Sequence, residues 1–492
     1  MTNIASSEAQ LARRLGLFDT TMIVMGGIIG SGIFINPYVV AQQVPSTILI
    51  LAAWAFGGLI ALAGAFIYAE LSSQTSASGG QYVYLRDAFH PALAFVYGWA
   101  LLLVTQSGGM AAVAVTFAKY VCSLGRMEAN DNVAALLATI VLIVLTIINC
   151  LGVRAGSTTQ NLFMILKLIA IAALVAFGLT ITGAPTPAVA TPTVVASVGS
   201  TLLRQGYGGQ ASSSPGIWNS LMAFGAALIP VQFAYGGWQT SCFVAGEVRE
   251  PRKNLPRGLL LGVLGVIVIY LSVNFVCVRA LGPQGLGQTT TPASAVMRLA
   301  LGENGARIIA VGIAVSTVGF LSQSMLTAPR VYFAMAEDGL FFSSLTKLNR
   351  ARVPAFAIAL QGAFAIVITL SGRYEQILNY VISVDVIFFA LTASTVFVFR
   401  HRAKRNPSLL KASPMPVQCQ SGSDLAPRIP GHPFTTLFFI IACGCVAFST
   451  LYRYPHNSLI GLGIMLTGLP AYLFWKTRQK TSNTEHPTPN LE

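Results

Sequence analysis

Twelve apolar runs, each about as long as a bilayer crossing requires, follow one another from residue 18 to residue 475. They lie near 18–41, 47–70, 91–120, 133–152, 161–182 and 218–245, then near 257–281, 306–334, 355–371, 377–399, 434–452 and 457–475. Lipid offers a backbone no partners, so only a helix or a closed barrel can cross it. Runs of this length predict helices. The expected fold is therefore an all-α integral membrane protein with twelve transmembrane helices. Composition agrees: 9% of the 492 residues are charged and 54% are hydrophobic, whereas an ordinary soluble domain is roughly a quarter charged. Disorder, collagen and coiled coil are excluded on the same ground.

The formal net charge is +14, but the basic residues stand in short segments between apolar runs and form no stripe. No nucleic-acid partner is expected, and the charge reads as topology. With the amino terminus inside, 21 of the 30 Lys and Arg residues fall on the cytoplasmic side and eight outside, leaving Lys167 within a span. By the positive-inside rule both termini are expected to be cytoplasmic, and the expected location is the plasma (inner) membrane, as a multi-pass protein. Residues 1–17 and 476–492 are its tails. The outside loop 183–217 is rich in Pro, Gly, Ser and Thr and is expected to be flexible, without a core. A polar, Pro-rich cytoplasmic loop, 400–433, precedes a last pair of spans, 434–475. Seven scattered cysteines without a CxxC pair, and five histidines mostly at span ends or in tails, give no metal-site or disulfide pattern. No metal or cofactor is expected. Neither the filter loop of a channel nor the polar cluster of a membrane enzyme is visible.

Two spans are interrupted by glycine. Span 1 carries MGGIIGSGIF, with Gly26, Gly27, Gly30 and Gly32 at mid-run, and span 6 carries FAYGGWQTS, with Gly236 and Gly237 at the matching depth. Glycine lets the backbone leave helical geometry and exposes N–H and C=O groups to a bound polar ligand. A half-helix that starts at a break suits a carboxylate, and one that ends there suits an ammonium. Glycine used only for close helix packing is the competing reading of each run alone. Paired breaks in the first and sixth spans point to two inverted five-helix repeats, 18–182 and 218–399, with 434–475 appended.

At these residues the chain resembles the amino acid, polyamine and organocation (APC) transporter superfamily, and within it the L-type amino acid transporters and their bacterial relatives. The likeness runs through GGIIGSGIF, AEL, SGGQYVYL, AFVYGW, NCLGVRAG, NLFMILKL, FAYGGW, GEVREPRKNLPRG and RVYFAMAEDGLFF. Two positions depart from the family pattern: Ser76, where Pro is usual, and Gln239, where L-type members usually have Asn. The resemblance implies that the substrate carboxylate meets the N–H groups of Ser31 and Gly32. The α-ammonium then meets the carbonyls of Ile28, Phe233 and Gly236, with Gly30 and Ala234 as adjoining backbone. Phe233 is the implied gate, and Trp238 and Gln239 the residues that shape or support the side-chain pocket.

Lys167 lies six residues beyond Asn161 in an apolar stretch, on the order of 15 Å deep and too far to snorkel comfortably to water. An ionisable residue at such depth is a functional candidate. The resemblance implies that its amine stands in for the sodium of sodium-coupled relatives, beside a span 8 hydroxyl such as Ser316, as a proton carrier or a fixed charge. Asp385, in VISVDVIFF, is the other deep charge and receives no role. Glu70, Glu247, Glu337 and Asp338 read as ion pairs at cytoplasmic span ends. The leading function is secondary transport of neutral L-amino acids by alternating access, as exchanger or proton symporter, because neither break contains Asp or Glu to balance a cationic side chain. An amine, polyamine or cationic amino acid exchanger is the alternative and requires an acidic partner such as Asp385 facing the site; a non-transporting receptor is more remote. Expected partners are thus an amino acid, the lipid bilayer and, in the symport reading, protons. Eukaryotic L-type members pair with a single-span heavy chain, and Cys122 lies in the region of such a disulfide, but no heavy-chain partner is expected here.

Overall fold

The computed structural model describes residues 15–74, 78–125, 127, 131–151, 157–181, 217–349, 353–371, 374–405 and 428–485. Among them are eleven helical segments long and apolar enough to cross a membrane, and one shorter apolar helix, Ala355–Ser371. These correspond one for one to the twelve apolar runs. Span 1 is Leu17–Gln43, span 2 Thr47–Gln74, span 3 Pro91–Gly125, span 4 Asn132–Cys150, span 5 Asn161–Leu179 and span 6 Asn219–Phe243. Spans 7, 8 and 10 are Pro251–Gln288, Pro292–Glu337 and Gln376–Arg405, Ala355–Ser371 is span 9, and spans 11 and 12 are Phe434–Arg453 and Pro455–Arg478. The outside loop expected over 183–217 lies outside the described residues except at its last position, as do most of the loop 400–433 and the ends of both tails.

Several helices outrun the apolar segment that predicts them. Pro251, Pro292 and Pro455 each occupy the first turn of a span helix, where a missing N–H costs nothing and the fixed φ favours helical geometry. Span 7 therefore starts within the polar EPRKNLPRG segment, and span 8 starts at Pro292, well before its apolar run. Both bend at a left-handed glycine, Gly282 in span 7 and Gly302 in span 8, with φ of 65° and 67°. Such backbone favours glycine because it has no Cβ to clash.

Spans 1, 2, 3, 6, 7, 8 and 10 supply much of the larger buried core. Span 7 packs along span 2 and the first half of span 1, and span 3 packs against spans 8 and 10. Large apolar side chains such as Ile48, Leu136, Val268 and Ile308 are exposed. A soluble protein would hide so many, whereas here they form the lipid-facing surface.

Candidate functional site

Span 1 is two half-helices, Leu17–Ile28 and Gly32–Gln43. The break is Ile29 to Ser31. Of the four mid-run glycines only Gly30 lies in it: Gly32 opens the helix after it, and Gly26 and Gly27 belong to the helix before it. Their role is close approach: a Cβ on Gly26 would overlap Gln323 Oε1, and one on Gly27 would lie 2.7 Å from Thr240 Oγ1 and 2.8 Å from the Gly237 carbonyl oxygen. Gly32 is also a packing glycine, since its Cβ would lie 2.7 Å from Ala234 Cα. The N–H groups of Ser31 and Gly32, at the start of the second half-helix, donate to no described group, as expected of a first turn without a cap.

Span 6 breaks in the same way between the helix Ile217–Tyr235 and the short helix Thr240–Phe243. Gly237 has φ 109°, which favours glycine. Its N–H donates to Gln239 Oε1 at 3.0 Å, and its carbonyl accepts from Thr240 Oγ1 at 2.7 Å. Gln239 thus caps the break from within. The two breaks touch: a Cβ on Gly237 would overlap the Gly27 carbonyl oxygen.

Between them lies a cavity of about 70 Å³. Ile28, Gly30, Ser31, Gly32, Phe233, Gly236 and Gln239 line it, as do Thr105, Gln106, Phe320, Gln323, Ser324 and Asp385 from spans 3, 8 and 10. Seven of the nine residues expected to bind substrate therefore share one cavity. Ala234 and Trp238 do not line it. Ala234 packs under Gly32, and Trp238 is fully buried behind the break against Tyr68 and Phe389, with ring centroids 6.1 and 4.9 Å away.

Lys167 is buried, and its Nζ donates to the Ile29 carbonyl, inside the span 1 break, at 2.6 Å. Ser316 is buried too, but its hydroxyl bonds to no described group, so no hydrogen bond joins the two. Sequence reasoning missed two residues that brace the breaks. The Tyr270 hydroxyl lies 3.0 Å from the Ile28 carbonyl and 3.1 Å from that of Ala234, bridging both breaks as a donor to either, and Gln323 Nε2 donates to the Ile23 carbonyl at 2.7 Å. Among the described residues no group of three His, Cys, Asp or Glu could hold a metal.

The family model described as amino acid permease matches residues 15–469. The chain belongs to the amino acid permease family. This permease is 30% identical over 477 residues to the serine/threonine exchanger SteT of Bacillus subtilis (strain 168), an alignment covering 95% of this chain and 98% of that one. It is 30% identical over 482 residues to the large neutral amino acids transporter small subunit 2 of Mus musculus, covering 96% and 83% of the two chains. It is also 28% identical over 402 residues to the b(0,+)-type amino acid transporter 1 of Mus musculus, covering 80% and 77%. The resemblance to the L-type branch of the APC superfamily is borne out, and with it a transporter in place of an enzyme.

On the face that carries residue 15, several elements of the permease are tied together. Leu15 N–H donates to the Glu247 carbonyl at 3.1 Å, and Arg249 N–H returns the bond to Leu15 at 2.8 Å. Asn161 Nδ2 donates to Asp19 Oδ1 at 2.8 Å, tying span 5 to the same half-helix. Three of the four expected acidic residues form ion pairs here: Glu247 with Arg330, Glu70 with Arg400 and Asp338 with Arg86, at 3.0, 2.6 and 2.7 Å. Glu337 forms none among the described residues. Burial works against the Arg86 charge, but the hydrogen bonds and charges of Asp87 and Asp338 outweigh it and push the pKa up.

Proposed function

We propose that this permease carries neutral L-amino acids across the plasma membrane by alternating access, as an exchanger or proton symporter, with both termini cytoplasmic. The observation that carries the reading is the pair of unbonded N–H groups of Ser31 and Gly32, at the start of a half-helix and lining a cavity without Lys, Arg or His. A zwitterion supplies a carboxylate to them and an ammonium to the carbonyls of Ile28, Phe233 and Gly236. Phe233 then closes over the ligand, Gln239 supports the pocket, and Lys167, with Ser316, couples transport through the span 1 break. Residues 18–182 and 218–399 act as inverted repeats, with 434–475 appended. The likeness to a serine/threonine exchanger and to a large neutral amino acids transporter supports the substrate class. Cys122 is buried, which supports function without a disulfide-linked heavy chain.

A second reading has its own observation. Asp385 lines the cavity, and an acidic residue facing the site is what an amine, polyamine or cationic amino acid exchanger requires. Counterflow into liposomes loaded with unlabelled amino acid separates the two. Accumulation of labelled alanine, serine or leucine supports the first; uptake of arginine or putrescine without any of these replaces it with the second.

A further inference from the structure

The polar groups of the cavity divide into those bonded within the protein and those that are not. Gln239 bonds the Gly237 N–H, Gln323 the Ile23 carbonyl, Thr240 the Gly237 carbonyl and Thr327 the Gln323 carbonyl. Beside the breaks, the Ser31 hydroxyl and Gln232 Nε2 are buried without partners. The remaining unbonded groups come from spans 3, 8 and 10. The Thr105 hydroxyl, on a residue 7% exposed, has no partner, and among the described residues the side chains of Gln106, Ser324 and Asp385 make no hydrogen bond.

Two features make this second set more than chance. Span 3 contains a π-helical turn, Leu101–Thr105, closed by a Ser107 hydroxyl bond to the Leu102 carbonyl at 2.5 Å. Neighbours in a regular helix point about 100° apart, yet Thr105 and Gln106 both line the cavity at the end of this turn, and such turns often occur at functional sites. The second feature is Asp385. A carboxyl inside a span ordinarily has a paired cation, but among the described residues Asp385 forms no ion pair, and the cavity it lines contains no Lys, Arg or His.

We infer that Asp385, with Thr105, Gln106 and Ser324, is a recognition site for a hydrogen-bond donor at the end of the substrate side chain. It selects amino acids bearing a hydroxyl, amide or ammonium over aliphatic ones of the same shape. An aliphatic side chain would shut these groups away from water with nothing to bond, whereas a donor of the right reach satisfies them. The inference rests on the α-amino acid reading above and narrows it.

The test uses pairs matched in shape: threonine against valine, and asparagine against leucine, as competitors of counterflow and as ligands in thermal-shift titration of the purified protein. Threonine and asparagine are expected to bind about tenfold or more tightly than their partners. Asp385→Leu should erase that ratio, and Asp385→Asn, which keeps an acceptor, should retain part of it. Lysine and ornithine identify the source of the donor: loss of their binding in Asp385→Asn with threonine preserved marks an ammonium as an accepted donor, and no binding in any form marks hydroxyl and amide donors alone. Equal affinity within the pairs, or an unchanged ratio in Asp385→Leu, overturns the inference while leaving amino acid transport intact. Loss of a pH-gradient response in Asp385→Asn with an unchanged ratio overturns it in favour of proton binding. Failure to respond to any α-amino acid overturns both readings.

Discussion

Replacing Gly237 with alanine tests whether the two breaks are held as one unit. The residue sits at φ 109°, and forcing an L side chain into so sparse a region costs about 1–3 kcal/mol. The added Cβ would lie 2.7 Å from the Gly27 carbonyl carbon, where carbon atoms rest at about 3.5–4.0 Å, so the breaks must separate by about 1 Å. Overpacking of that kind costs about 1–3 kcal/mol, which brings the total to the order of 2–6 kcal/mol. Gly236→Ala is the matched control. Its Cβ would meet only the Gln232 and Phe233 carbonyl oxygens, at 3.3 and 3.6 Å, and should change stability by no more than about 1 kcal/mol. Thermal unfolding in detergent measures both effects: Gly237→Ala should unfold at a clearly lower temperature, and Gly236→Ala should unfold nearly as the unmodified protein does. If the two variants unfold together, the breaks do not support each other.

Gly32→Val should abolish binding in a thermal-shift titration, because its Cβ would already lie 2.7 Å from Ala234 Cα before the branched methyls are added; retained affinity would remove Gly32 from the site. Phe233→Ala should leave unfolding unchanged within about 1 kcal/mol while slowing transport severalfold, as initial rates in liposomes would show. Lys167→Ala should depress exchange at every pH from about 5 to 8, since it removes the bond to the Ile29 carbonyl, whereas full pH-driven uptake would remove Lys167 from the mechanism. Tyr270→Phe leaves the Ile28 and Ala234 carbonyls without their shared donor, at a cost of about 1–3 kcal/mol, and should lower the unfolding temperature without aggregation.

The spans were legible because length and hydropathy are local properties, and all twelve runs correspond to helices. Gly30, Gly32, Gly236 and Gly237 marked the interruptions for the same reason. What could not be read is which use each glycine serves. Gly26 and Gly27 sit in the same run as Gly30, but their constraint comes from Gln323, Thr240 and Gly237, far along the chain. Tyr270 and Gln323 had no signal either: a single tyrosine or glutamine in an apolar run reads as packing until its carbonyl partner is known. The π-helical turn in span 3 leaves no residue signature, so Thr105 and Gln106 went unnoticed. Asp385 was conspicuous by its charge and uninterpretable until its neighbours were in place.

The bonds around span 1 fall into two sets. The first half-helix is joined to span 5 by Asn161 and to the residues after span 6 through Leu15. The second is joined to the first half of span 6 by Asn36 Nδ2, which donates to the Pro230 carbonyl at 2.6 Å, and to span 3 by Tyr120, whose hydroxyl donates to the Phe34 carbonyl. Three non-helical residues, Ile29 to Ser31, separate them and act as a joint in place of a rigid rod. Apart from the Tyr270 hydroxyl, which reaches a carbonyl on each side, each set is fastened by its own bonds, so one can part while the other holds. That is the condition for passing a solute through a membrane without opening a continuous path for water or ions.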